Sequence, residues 1–93
     1  TIDTSTYRLL TGGTFTGDVT FDGATAGRDI VFDRSDNALE FADNAKASFG
    51  ANADLQIYHD GSNSYLVNTT GELRITDSSL IRVNTDDFRI YKN

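Results

Sequence analysis

The sequence predicts an all-β chain of short strands at about eight-residue spacing, forming an intertwined homotrimeric β-helix or β-prism fibre. Three observations carry that expectation. Apolar residues two apart recur along most of the chain, turn-forming polar residues separate the pairs, and each pair brings too little apolar surface to stand alone.

The strong pairs are Ile30/Phe32, Leu39/Phe41, Leu55/Ile57, Leu73/Ile75, Ile81/Val83 and Phe88/Ile90, with weaker members Ala47/Phe49 and Tyr65/Val67. Their first residues fall at 30, 39, 47, 55, 65, 73, 81 and 88. Residues two apart share one face of a strand. A period near eight leaves room for a strand of about four residues and a turn of about four.

Residues 1–9 are polar with few anchors and read as a linker or lead-in from an upstream segment, the chain being expected to be part of something longer. Residues 10–29 form a Gly-rich unit. Gly12, Gly13 and Gly17 suit turns, a short strand is expected through Thr14–Thr16, and Val19/Phe21 has the two-apart form. Residues 30–93 are the β-repeat proper. The residue between the members of a pair is usually polar (Glu40, Ser48, Gln56, Arg74, Arg82, Arg89), which marks a strand with one buried face. Val31 and Leu66 break that rule, so the outer face is expected to be covered there. Between the pairs lie stretches such as Asp33–Asn37, Asp60–Ser64 and Asn84–Asp87, rich in residues that tolerate left-handed backbone or bond to it locally. Residues 36–49 also admit a short helix, because Phe41, Ala45 and Phe49 lie four apart behind Asp36, but the eight-residue register favours strands.

A solitary solenoid fits poorly, because each unit contributes only about two apolar side chains, and because solenoids need polar caps and none is visible. Three chains winding about one axis solve both problems. Each apolar pair meets the same pair from two partners, and each strand lies beside strands of other chains, which removes free edges. At about 4.7 Å per stacked strand, nine units span roughly 40 Å. The expected trimer core is Ile30, Phe32, Leu39, Phe41, Leu55, Ile57, Leu73, Ile75, Ile81, Val83, Phe88 and Ile90. Cysteine and methionine are absent, so neither disulfides nor thiolate sites staple the fold, and oligomerisation is the remaining usual route to stability for 93 residues.

The net charge is −6, all of it in residues 1–71, where four basic groups face nine Asp and one Glu; residues 72–93 carry four basic and four acidic groups. No basic patch offers itself to nucleic acid or to an anionic membrane, and no apolar run is long enough for membrane insertion.

Two motifs carry a resemblance. LTGGTFTGDVTF at Leu10–Phe21 resembles a Gly-rich repeat common in bacteriophage tail-fibre proteins, with Phe15 where that repeat often has Met or Leu. DLQIYHDGSNSYLVNTTGELRI at Asp54–Ile75 is similar to a segment frequent in structural and tail-fibre proteins of marine phages, including cyanophages. Together they cover about a third of the chain directly. The resemblance implies a trimeric, elongated, β-rich piece of an extracellular virion fibre that spaces or presents host attachment. It also implies a receptor of the host cell surface, a glycan or an outer-membrane protein. It brings no catalytic residues to carry over.

Candidate sites are few. Tyr58 and Tyr65 bracket the His59–Ser64 corner, so Tyr58, His59, Asp60 and Tyr65 are the expected receptor contacts. A receptor-binding tip is therefore the alternative within binding proteins. His59 is the only histidine, and an axial metal site built from three copies of it competes with a plain turn opened by Asp60; the turn is favoured. Asp33–Asn37 and Asp60–Asn63 resemble calcium loops without their spacing, so no metal and no cofactor are expected. A polysaccharide-degrading fibre domain is the alternative of another class, but Glu40 and Glu72 are the only glutamates and no aromatic platform adjoins them. No nucleophile elbow is present, and the chain is expected to be non-enzymatic.

Overall fold

The computed structural model describes residues 11–92. Its regular structure is entirely β, and no helix of the described residues is long and apolar enough to cross a membrane. The strands are β1 (Val19–Phe21), β2 (Ile30–Asp33), β3 (Ala38–Phe41), β4 (Ala47–Phe49), β5 (Leu55–His59) and β6 (Ser64–Asn68). They form two three-stranded antiparallel sheets, β1-β2-β3 and β4-β5-β6. The pairs from Val19/Phe21 to Tyr65/Val67 therefore all lie in strands. The helix admitted over residues 36–49 does not form, and Thr14–Thr16 is not a strand. The lead-in at residues 1–9 lies outside the described residues.

Pairing runs between consecutive strands of one chain, where the spacing had suggested strands beside those of other chains. The corners explain the difference. Asn37 (φ 53°), Gly50 (φ 92°), Ala53 (φ 53°) and Gly61 (φ 97°) hold left-handed backbone that turns the chain back on itself. Carboxylates tie these corners down. Asp33 Oδ1 accepts Ser35 N at 3.0 Å and Ser35 Oγ at 2.7 Å, and Asp18 Oδ1 accepts Arg34 N at 2.9 Å, which fixes the β2–β3 tip to the start of β1. In the longer β1–β2 link, Asp29 Oδ1 accepts Gly23 N at 2.9 Å, and a Cβ on Gly23 would collide with the Arg28 carbonyl.

The register sorts the apolar residues. In the first sheet Phe21, Ile30 and Phe41 form one cross-strand row, and Val19, Phe32 and Leu39 form the next, all on one face. In the second sheet Ala47, Ile57 and Leu66 share a row, with Phe49 and Leu55 beside them. This corrects one pairing. Leu66 shares the Ile57 face, while Tyr65 and Val67 lie on the opposite face with Tyr58 and Gln56. The turn at 60–63 sets that register, and a one-residue offset exchanges the faces of a strand.

The link between the sheets is bonded to both. Ala42 N donates to Asp29 O at 3.1 Å, and Asn44 N donates to His59 O at 2.7 Å. Between them sits Ala45, the one buried hydrophobic side chain among the described residues. No comparable core lies under the sheets. Phe21, Phe32, Leu39 and Phe41 stay 40–61% exposed, and so do Phe49, Ile57 and Leu66 at 47–52%. The Cα radius of gyration is 18.2 Å, against about 12 Å for a compact domain of this length, and the longest extent is 61 Å.

Residues 72–92 contain no strand. Leu73/Ile75, Ile81/Val83 and Phe88/Ile90 were expected as strand pairs and are not laddered within the chain. Leu73, Ile75, Leu80, Ile81, Val83, Phe88, Ile90 and Tyr91 are 47–83% exposed.

Candidate functional site

The corner expected at Tyr58–Tyr65 is assembled by the β5–β6 hairpin. Tyr58 and Tyr65 are directly opposed across the ladder, and their rings stack with centroids 5.0 Å apart and planes 23° from parallel. Such a pair adds about 0.5–1.5 kcal/mol beyond its buried area. Lys46 Nζ lies 4.6 Å from the Tyr58 ring centroid, so a cation covers part of the platform. Lys46 was not singled out in the sequence, and it is the antiparallel register that brings it here. With Ala47 opposite Ile57, Lys46 is the next residue outward and faces Tyr58.

Asp60 builds the turn. Its Oδ1 accepts Asn63 N at 2.7 Å and Ser62 N at 2.9 Å, and its own N–H donates to Asn63 O at 3.0 Å. The Asn63 and Ser62 amides hold the Asp60 carboxyl below the usual aspartate range, with the Tyr65 hydroxyl adding a weaker hydrogen bond. Gly61 packs close to Asp43 of the inter-sheet link; a Cβ there would lie 3.2 Å from Asp43 Oδ2. His59 is exposed on the opposite face of β5 from the tyrosines, where Nδ1 is hydrogen-bonded to Ser64 Oγ at 2.8 Å. The four expected contacts thus divide. Tyr58, Tyr65 and Asp60 gather with Lys46, while His59 looks away.

The stretch from Asp54 to Gly71 forms a closed structural unit. Asp54 O accepts Thr69 N at 2.9 Å, Asp54 Oδ1 accepts Thr70 Oγ1 at 3.1 Å, and Asn68 Nδ2 donates to Gly71 O at 3.1 Å. These bonds clasp the β5–β6 hairpin at its open end.

A second constellation lies at the β2–β3 tip. Among the described residues, only Asp33, Asp36 and Glu40 bring three ligand-type oxygens together, within 4.8 Å of one another. Glu40 joins this trio from the outer face of β3, a contact the loop sequence alone did not show. A hydrogen bond that the protonated Glu40 carboxyl donates to Asp36, and the nearby Asp33 charge, push Glu40 above the usual glutamate range. The Ser35 hydroxyl and the turn amides hold Asp33 below its own range. One carboxyl with a raised pKa beside one with a lowered pKa is the electrostatic form of an acid–base pair. Here Glu40 is exposed and Asp33 half-buried, at a turn whose amides already use Asp33. The arrangement can hold a shared proton at the surface. No family model matches this chain, and no curated protein or solved structure matches it either.

Proposed function

We propose that this chain is a structural segment of a phage tail fibre, a homotrimeric shaft that spaces or presents host-receptor binding on the outside of a virion, without catalysing a reaction. One observation carries the reading. Residues 11–92, with two three-stranded sheets, bury a single hydrophobic side chain, Ala45, and leave the apolar sheet faces open. Each Val, Leu, Ile or Phe moved from water into a core gains about 1.5–3 kcal/mol. A solvated face of this kind marks an interface. Three copies turned with these faces toward a common axis would form a triangular prism. Each face of the prism would be a three-stranded meander, and Phe41 and Ile57 would lie at its centre. The 61 Å long axis suits a rod. The motifs at Leu10–Phe21 and Asp54–Ile75 support the phage assignment.

The stacked Tyr58–Tyr65 pair favours a second role for the same segment, as the contact for a host-surface glycan or outer-membrane protein. The pair faces away from Leu55 and Ile57, so it would stay outside the prism. Native mass spectrometry tests the main reading: the expected mass is about three times 10.2 kDa, and a stable monomer overturns it.

A further inference from the structure

Residues 72–74 and 87–91 are extended stretches without a ladder partner among the described residues. Arg74 Nε bonds Glu72 Oε2 at 2.8 Å; Arg89 bonds Asp87 Oδ2 through Nη2 at 2.7 Å and Tyr91 Oη through Nη1 at 3.2 Å. All three contacts join residues two apart, as residues on one face of an extended stretch do. The side chains of Glu72, Arg74, Asp87 and Arg89 are 59–77% exposed, so these ion pairs report geometry more than stability. The opposite face of the same stretches carries Leu73 and Ile75, then Phe88 and Ile90, all exposed. No ladder among the described residues extends past Asn68, and the backbone bonds outside the ladders end with Thr69.

We infer that residues 72–92 pair as strands with the same residues of other copies, and that this segment is the part of the assembly in which chains exchange strands. The inference rests on the trimeric reading above and deepens it. Charge argues for a second copy over a foreign partner. The segment is neutral, whereas residues 1–71 carry −6, so the segment is where identical chains approach without net repulsion. Its polar face alternates in sign, Glu72 then Arg74, Asp87 then Arg89, so copies set side by side with a stagger of two place Arg next to carboxylate. Its apolar pairs begin at 73, 81 and 88, nearly the interval the sheets themselves use.

The test uses the full chain. Carbon-13-labelled and unlabelled chains are unfolded, mixed and refolded, and the product is examined by amide hydrogen exchange and isotope-filtered NOEs. The expected result is inter-chain NOEs to the methyls of Ile81 and Ile90, with amides at 73–75, 81–83 and 88–90 protected to within about tenfold of those in β5. Ile90→Asp should abolish protection in 72–92 while β5 keeps its own. A trimer of the expected mass whose 72–92 amides exchange freely, or show NOEs only within a chain, overturns this inference and leaves the trimer standing. A monomer overturns both.

Discussion

Residues 19–68 and residues 72–92 repeat the same apolar pair at nearly the same interval, yet one region ladders with itself and the other does not. The pairs cannot be the cause, because Leu55/Ile57 and Leu73/Ile75 are interchangeable by type and spacing. The corners differ. Every turn from Arg34 to Asn63 has a left-handed residue, at Asn37, Asn44, Gly50, Ala53 or Gly61, and among the described residues none follows Gly71. In the later segment Asp77 accepts amides from Ser79 and Leu80, a local turn with no strand ladder on either side of it. Apolar alternation decides that a stretch is strand-shaped, and turn chemistry decides whose strand it meets.

The largest effect that would break this comparison is at the sheet face. Phe41→Asp puts a carboxylate at the β3 end of the Phe21–Ile30–Phe41 row. In a trimer it would bring three carboxylates together away from water, so assembly should be lost altogether and native mass spectrometry should show only the 10.2 kDa species. An unchanged trimer would mean that the uncovered faces do not meet, and that residues 72–92 alone hold the copies together.

The strands were legible because two-apart alternation is a local property, set by which face a side chain takes. Ile30/Phe32, Leu39/Phe41 and Leu55/Ile57 needed nothing more. Strand partners were not legible, since a period of eight suits a chain that crosses to the next face as well as one that doubles back. That choice hung on single backbone angles, as at Ala53, whose residue type gives no warning of a φ of 53°. Of the candidate contacts, the meeting of the two tyrosines was legible from their bracketing of a corner. His59 lies on the other face of β5, because adjacent strand residues point to opposite faces. Lys46 became visible only once the antiparallel register was known.

A smaller change sharpens the role of the corners. Asp60→Ala removes the carboxylate that accepts Asn63 N and Ser62 N, so the β5–β6 turn should fray and the melting temperature should fall at pH 7. The bonds hold the Asp60 pKa below the ordinary 3.8, so their contribution is present above that value and is lost as pH falls through the lower, folded-state pKa. The gap between variant and wild type should therefore close in acid. Equal melting temperatures at pH 7 would show that Gly61 alone makes this corner.

The smallest effect is at the other hairpin tip, where the cap is crowded by its own kind of charge. Asp60 caps beside no other carboxylate in its turn, whereas Asp33 shares its tip with Asp36 and Glu40. Glu40 titrates above the ordinary 4.5, so the native tip favours the protonated form. A raised acid pKa contributes stability that is complete below 4.5 and is lost as pH rises through the folded-state value. At pH 7 the group is charged against its neighbours, and Glu40→Gln, which keeps the hydrogen-bonding shape, should raise the melting temperature slightly. Below pH 4.5 wild-type Glu40 is itself neutral and the gain should vanish. The tip is open to solvent, so about 1 M salt, with a Debye length near 3 Å, should erase most of the gain at pH 7. A gain that persists in both acid and salt would locate its origin in packing against β3, and the charge account of this corner would fail.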